Sequence, residues 1–157
     1  MRPTARSGRR SGGARSIELG PLTRSIGYML RRAQITAVAG FLEALKEVEL
    51  RPTQFAVLLI IRENPGIRQT EFCDALGIQK ANFVPLLNHL EWRGLAERRT
   101  GTSDRRSCAL YLTPRGQELL RRACVLHDAH EARLTARIGK RGREVLLSLL
   151  RKLHDPL

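Results

Sequence analysis

Apolar residues recur along most of this chain at the three- and four-residue spacing of helices buried on one side. Pro21 to about Lys46 reads as one long helix. Leu22, Ile26, Met29, Ala33, Ala37 and Gly40 form one stripe, and Tyr28, Ile35 and Leu42 fall on another face. A helix apolar on two faces is buried on two sides, here against its own core and a second subunit. Pro52 to Glu63 is a second helix, apolar nearly all round through Phe55, Val57, Leu58, Leu59, Ile60 and Ile61, and therefore core. The run E-N-P-G then breaks the chain. From Gln69 to Leu90, apolar positions fall at Phe72, Leu76, Ile78, Phe83 and Leu86, with Gly77 between two periodic runs. Two short helices joined by a tight glycine turn are the sequence form of a helix-turn-helix, and Cys73 is small enough for the crossing. The second of these helices puts Phe83, Leu86, Leu87 and Leu90 on its inner stripe. Its outer face carries Ala81, Asn82, Pro85, Asn88 and His89.

Helical spacing gives way after Gly94, a residue suited to a left-handed helix end. L-A-E-R-R, the turn-like T-G-T-S-D-R-R and S-C-A-L-Y-L-T read as a two-strand hairpin. Thr113 then caps a long helix with Pro114 at its first position, running to about Ile138. Leu119, Ala123, Leu126, Leu134 and Ile138 form its stripe, with His127 and His130 on it. Gly139 to Gly142 makes a basic turn, and a last helix carries Val145, Leu146, Leu149, Leu150 and Leu153, a surface suited to a dimer. The pattern predicts a mainly α fold with a minor β part: a winged helix-turn-helix of about six helices and a two-strand wing. Residues 1–16 are expected to be a disordered basic tail. Residues 17–157 are expected to form a single domain, with 17–48 and 114–157 as dimerisation helices and 51–113 as the winged lobe.

Charge narrows the partner. Twenty-eight basic residues face 15 acidic ones, a net +13, which suits a polyanion. The first 16 residues hold five arginines and no acid, so they read either as a basic arm adding non-specific DNA affinity or as a solvated tail. Seven aromatic residues are few for a single-strand stacking platform. No apolar run approaches the roughly 20 residues of a membrane span, and no secretory h-region opens the chain, so no membrane partner is expected. Three cysteines without framework spacing fit a reducing, cytoplasmic setting. There is no G-x-S-x-G, glycine-rich phosphate loop or H-E-x-x-H, so neither an enzyme nor a cofactor is expected.

The segments L-E-W-R-G-L-A-E-R-R, D-R-R and L-T-P-R-G-Q-E-L-L resemble the signature of the MarR-type winged-helix transcriptional regulators. The resemblance runs from about Leu22 to Leu153. It implies a homodimer joined through its terminal helices, duplex DNA at a pseudo-palindromic site as partner, and repression of nearby genes. It also implies a small, often aromatic and acidic effector between the DNA-binding lobe and the dimer helices. On this reading Gln79, Lys80, Ala81, Asn82 and Pro85 lie near the bases. Arg68, Gln69, Thr70, His89, Arg98, Arg99 and Arg105 serve phosphates. Arg106 enters the minor groove, with Asp104 holding its guanidinium. Pro85 departs from the family pattern, in which a basic residue is common there, and a proline inside a helix usually kinks it.

Two clusters have competing readings. Tyr28, Arg31 and Arg32 on the first helix and His127 and His130 on the long helix suit an aromatic carboxylate or its thioester. The plainer reading makes the histidines interface residues and the arginines solvated. Cys124, His127 and His130 have a metal-like spacing, but the first helix offers only Glu43 and Glu47 to complete a shell, so no metal site is assigned. Relatives that sense peroxide carry a reactive cysteine in the first helix, where this chain has none. Cys73, Cys108 and Cys124 read as structural thiols. A metal- or redox-responsive regulator, or a sequence-independent architectural protein, stands as the alternative.

Overall fold

The structure is a computed structural model and describes residues 17–100 and 108–154, with only the backbone of Thr100, Cys108 and His154. The chain divides into two compact units, Met1–Gln34 and Ile35–Leu157.

The first unit contains a 3-10 turn, Gly20–Arg24, and the opening of helix α1, Ile26–Ala44. One helix from Pro21 was the expectation, and here the structure differs. Pro21 lies in the first positions of a tight turn that Ser25 closes through its N–H to the Leu22 carbonyl at 3.0 Å. Ser25 is itself extended (φ −81°, ψ 122°), and its carbonyl accepts the Met29 N–H at 3.0 Å. The α-helix therefore begins one turn later than the apolar stripe does.

In the second unit α1 ends in a 3-10 turn, Leu45–Val48, closed by Glu49 in the left-handed region at φ 51°. Helices α2 (Pro52–Glu63), α3 (Gln69–Leu76) and α4 (Lys80–Trp92) follow. Strands β1 (Ala96–Thr100) and β2 (Cys108–Leu112) pair antiparallel, with Arg98 opposite Leu110. The last element, α5, spans Pro114–His154 but is broken at Gly139 (φ 75°, ψ 160°). Counting its two segments separately gives six helices among the described residues. Only a glycine enters that backbone region without strain, so the predicted basic turn is reduced to this single residue.

Local chemistry explains the boundaries. The Arg51 N–H donates to the Gln54 side chain at 2.9 Å, and the Arg68 N–H to the Glu71 carboxylate at 2.8 Å, each satisfying a donor at a helix start. Both helices of the helix-turn-helix end in one device. Gly77 (φ 59°) and Gly94 (φ 65°) turn the chain, and the N–H groups of Ile78 and Leu95 return to the carbonyls of Cys73 and Leu90. The Thr113 hydroxyl accepts the Gly116 N–H at 3.0 Å and donates to the Gly94 carbonyl at 2.6 Å. It thereby caps α5 and ties that cap to the end of α4.

The core gathers Leu45, Phe55, Leu58 and Ile61 with Phe72, Phe83, Leu87 and Leu90, and it includes Leu95, Leu110 and Leu120. The Phe72 and Phe83 rings stack at 4.3 Å and fix the crossing of α3 and α4. The segment before α3 is fastened to the wing: Gly66 N–H donates to Leu110 O at 2.9 Å and Leu110 N–H to Ile67 O at 3.0 Å. Glycine is favoured at position 66, because φ 86° strains any other residue and an added Cβ would sit 2.8 Å from the Tyr111 hydroxyl oxygen, forcing that side chain to shift.

Candidate nucleic-acid interface

Helix α4 sorts its residues by face. Phe83, Leu87 and Leu90 are buried, while Gln79, Lys80, Ala81, Asn82, Pro85, Asn88 and His89 are exposed. Five of these are the predicted base-contacting residues, Gln79 standing at the N-cap. They share the outer side of the first half of the helix. Pro85 does not interrupt α4, which continues to Trp92. Lacking an N–H, it leaves the Ala81 carbonyl without its helical donor on an exposed face.

The predicted phosphate ligands fall into three surroundings. Arg68 and Thr70 are exposed at the start of α3. Gln69 is half-buried, and its side-chain nitrogen is buried with no partner among the described residues. His89 is exposed on α4, its ring stacked on that of Trp92 at 5.9 Å. Arg98 and Arg99 lie on β1 and already have partners. Arg99 donates to Glu97 at 2.6 and 2.8 Å and lies 4.4 Å above the Tyr111 ring. The Arg98 guanidinium is half-buried, bonded to the Glu91 carboxylate and to Asn88 Oδ1 at 2.9 Å. Asp104, Arg105 and Arg106 lie outside the described residues, as does the tail 1–16.

Glu91 and Asn88 were not among the predicted site residues. The signal was present: Glu91 lies seven residues before Arg98 within the same quoted signature, and Asn88 three residues after Pro85 on the same helix face. A helix-by-helix reading does not join an acid on a helix to an arginine on the following strand.

The effector candidates divide between the two units. Tyr28, Arg31 and Arg32 belong to the first, on the opening turns of α1. His127 and His130 belong to the second, on α5, in an aromatic corner. His130 is 5% exposed and stacks on Phe41 at 5.5 Å. His127 stacks on Phe55 at 5.2 Å, and Phe41 meets Phe55 edge-on at 5.3 Å. Beside them an open pocket of about 150 Å³ is lined by Ala37, Val38, Phe41, His127, His130, Glu131 and Leu134. Cys124 accepts a hydrogen bond from Arg62 at 3.3 Å. Among the described residues no three of His, Cys, Asp and Glu are grouped to hold a metal ion. Cys73 is buried, and burial pushes its thiol pKa up, which disfavours the reactive thiolate. No helix among the described residues is long and apolar enough to cross a membrane.

Comparison with known proteins gives a consistent picture. The model of the MarR family matches residues 50–108. A putative transcriptional regulatory protein for the hcr operon of Thauera aromatica is 31% identical over 136 residues, covering 86% of this chain and 82% of that protein. Among solved structures, the transcriptional repressor CouR bound to a 23-mer DNA duplex is 44% identical with a TM-score of 0.85, covering 88% of this chain and 98% of the other. CouR bound to p-coumaroyl-CoA is 39% identical with a TM-score of 0.84, covering 90% and 100%.

Proposed function

Because the chain belongs to the MarR family of transcriptional regulators, we propose that it is a sequence-specific repressor that binds duplex DNA as a homodimer and is released by an aromatic acyl thioester of coenzyme A. The observation that carries this reading is the two-sidedness of α4. Its inner stripe is fully committed to the core, and its outer face, Gln79 to Pro85, is exposed and free of core contacts. A helix held rigidly from behind and open in front can enter a major groove, where small and hydrogen-bonding side chains approach base edges. Arg68, Thr70 and His89 flank that face as phosphate ligands; Arg105 is proposed as a further phosphate ligand, and Arg106, its guanidinium held by Asp104, for the minor groove.

The exposed row Val145, Leu146, Leu149 and Leu153 on α5 supports self-association, since a regulator with one reading helix per copy needs two to read a pseudo-palindrome. The pocket beside His127 and His130 supports an aromatic effector: it is open, about 150 Å³, and its lining combines apolar side chains with two imidazoles. Tyr28, Arg31 and Arg32 enter as candidate effector contacts on their chemistry alone, each to be tested by alanine substitution. The relatives bound to a duplex and to p-coumaroyl-CoA support both halves of the reading.

Selection of bound sequences from random duplexes tests it. The expected result is an enriched two-fold motif favoured by about a thousandfold or more over bulk DNA. Hydroxycinnamoyl- and benzoyl-CoA thioesters are then titrated into the complex. At least one should raise thermal stability and lower DNA affinity, by linked factors. No enriched motif would favour an architectural protein instead, and a motif without any thioester response would remove the effector half alone.

A further inference from the structure

Three side chains join the reading helix to the wing. The Glu91 carboxylate on α4 takes both the backbone N–H of Arg98, at 3.1 Å, and its guanidinium. The other guanidinium nitrogen donates to Asn88 Oδ1 at 2.9 Å. Arg98 and Glu91 side chains are each 26% exposed, so the pair is shielded from solvent far more than the other ion pairs among the described residues. A guanidinium has donors only, so the orientation of the Asn88 amide is forced: its oxygen faces Arg98 and its NH₂ faces away. Asn88 is exposed and lies three residues beyond Pro85 and seven beyond Ala81, on the helix face proposed to meet DNA.

We infer that Arg98 is a positioning residue for DNA binding: it locks the wing strand to α4 through Glu91 and presents the Asn88 amide as a donor, and it does not itself neutralise a phosphate. This rests on the DNA-binding reading above. An arginine with two of its three nitrogens fixed by α4, one of them on a carboxylate, has its charge largely compensated. Its planar fork is what the geometry uses, because lysine cannot reach Glu91 and Asn88 at once from one rigid group. An outward NH₂ on Asn88 suits guanine N7 or O6, thymine O4 or a phosphate oxygen. The paired oxygen-and-nitrogen contact with adenine is disfavoured, because the oxygen is already engaged.

The test uses the full-length protein and the duplex selected for it, with affinity measured across a salt series. Glu91→Gln separates the two roles by sign. If Arg98 were a phosphate ligand restrained by Glu91, removing the acid would tighten binding and steepen the salt dependence. As a positioning residue it loses its anchor, and affinity falls by about tenfold with the slope unchanged. Arg98→Lys keeps the charge and should show the same loss at the same slope. Asn88→Ala should add little to Arg98→Lys, since the lysine has already released the amide. Tighter or unchanged binding by Glu91→Gln overturns the inference. So does a double variant whose losses simply add, or a slope that drops by about 0.9 on Arg98→Gln, the value of one lost phosphate contact. Thermal unfolding of each variant identifies misfolding, in which case Asn88→Ala, on an exposed side chain, decides through its own loss of affinity. Failure of the wild-type protein to select any duplex would instead strike the DNA-binding reading itself.

Discussion

His130 and His89 carry one side chain into opposite surroundings. Around His130 the neighbours are Phe41, stacked at 5.5 Å, and the bare backbone of Gly40, with the Phe55–His127 pair beyond. His89 stands on the outer face of α4, exposed, its ring against that of the exposed Trp92. A ring packed among aromatic rings is fixed by dispersion and shape, so a change there is registered first as stability. A ring on an open helix face contributes little to folding, so a change there is registered as binding. The difference separates the part of the second unit that keeps its form from the part left free to read a partner.

The largest expected effect breaks the buried corner. Phe55 is 4% exposed and touches both Phe41 and His127. Phe55→Ala should destabilise the protein by about 3–5 kcal/mol, measured by denaturant unfolding at fixed protein concentration. A loss below about 1 kcal/mol would mean that the corner collapses freely and is not a packed structure.

Next in size is Gly40→Ala, which fills the corner instead of emptying it. A Cβ on Gly40 would lie 3.0 Å from His130 Cε1 and 3.5 Å from Nδ1, so the imidazole must shift. Overpacking costs about 1–3 kcal/mol where the neighbour cannot give way, against the roughly 0.5–1 kcal/mol that alanine gains over glycine inside a helix, so a net loss is expected only if the packed His130 ring is held in place. Because His130 also lines the 150 Å³ pocket, the same variant should weaken the thioester response by more than it weakens duplex binding. Equal losses in both would detach the pocket from the effector.

How much of this was legible before the structure follows from what kind of contact was involved. The helix-turn-helix, the wing and the break near Gly139 follow from local spacing and from glycine, which act within a few residues. The exposed face of α4 was legible for the same reason, since helical periodicity alone puts Gln79 to Pro85 opposite Phe83 and Leu87. Periodicity also placed His127 and His130 on an apolar stripe, but not against Phe41 and Phe55, which are more than 70 residues earlier in the chain. The start of α1 was placed too early because an apolar stripe carries through a 3-10 turn and an extended serine without a change in composition. In sequence Arg98 reads as a phosphate ligand, because sequence displays a charge and not its partner. Glu91 stands seven residues before Arg98 in the same signature, but the two are joined only because β1 folds back beside α4.

The smallest effect sharpens the exposed side of the comparison. His89→Ala removes a ring that makes no core contact, so its unfolding midpoint should match the wild type to within about 0.5 kcal/mol. If His89 donates an N–H to a phosphate, a net hydrogen bond of about 0.5–1.5 kcal/mol is lost, which is roughly a two- to tenfold fall in duplex affinity. Trp92, the sole tryptophan and 84% exposed, reports on the same event. Adding the selected duplex should protect its emission from a soluble quencher if this end of α4 faces DNA. The protection should persist in His89→Ala at saturating duplex, because the variant changes how tightly the face binds and not which face binds. Unprotected Trp92 together with unchanged affinity in His89→Ala would place the C-terminal turn of α4 outside the interface, leaving Gln79 to Pro85 to carry the contact alone.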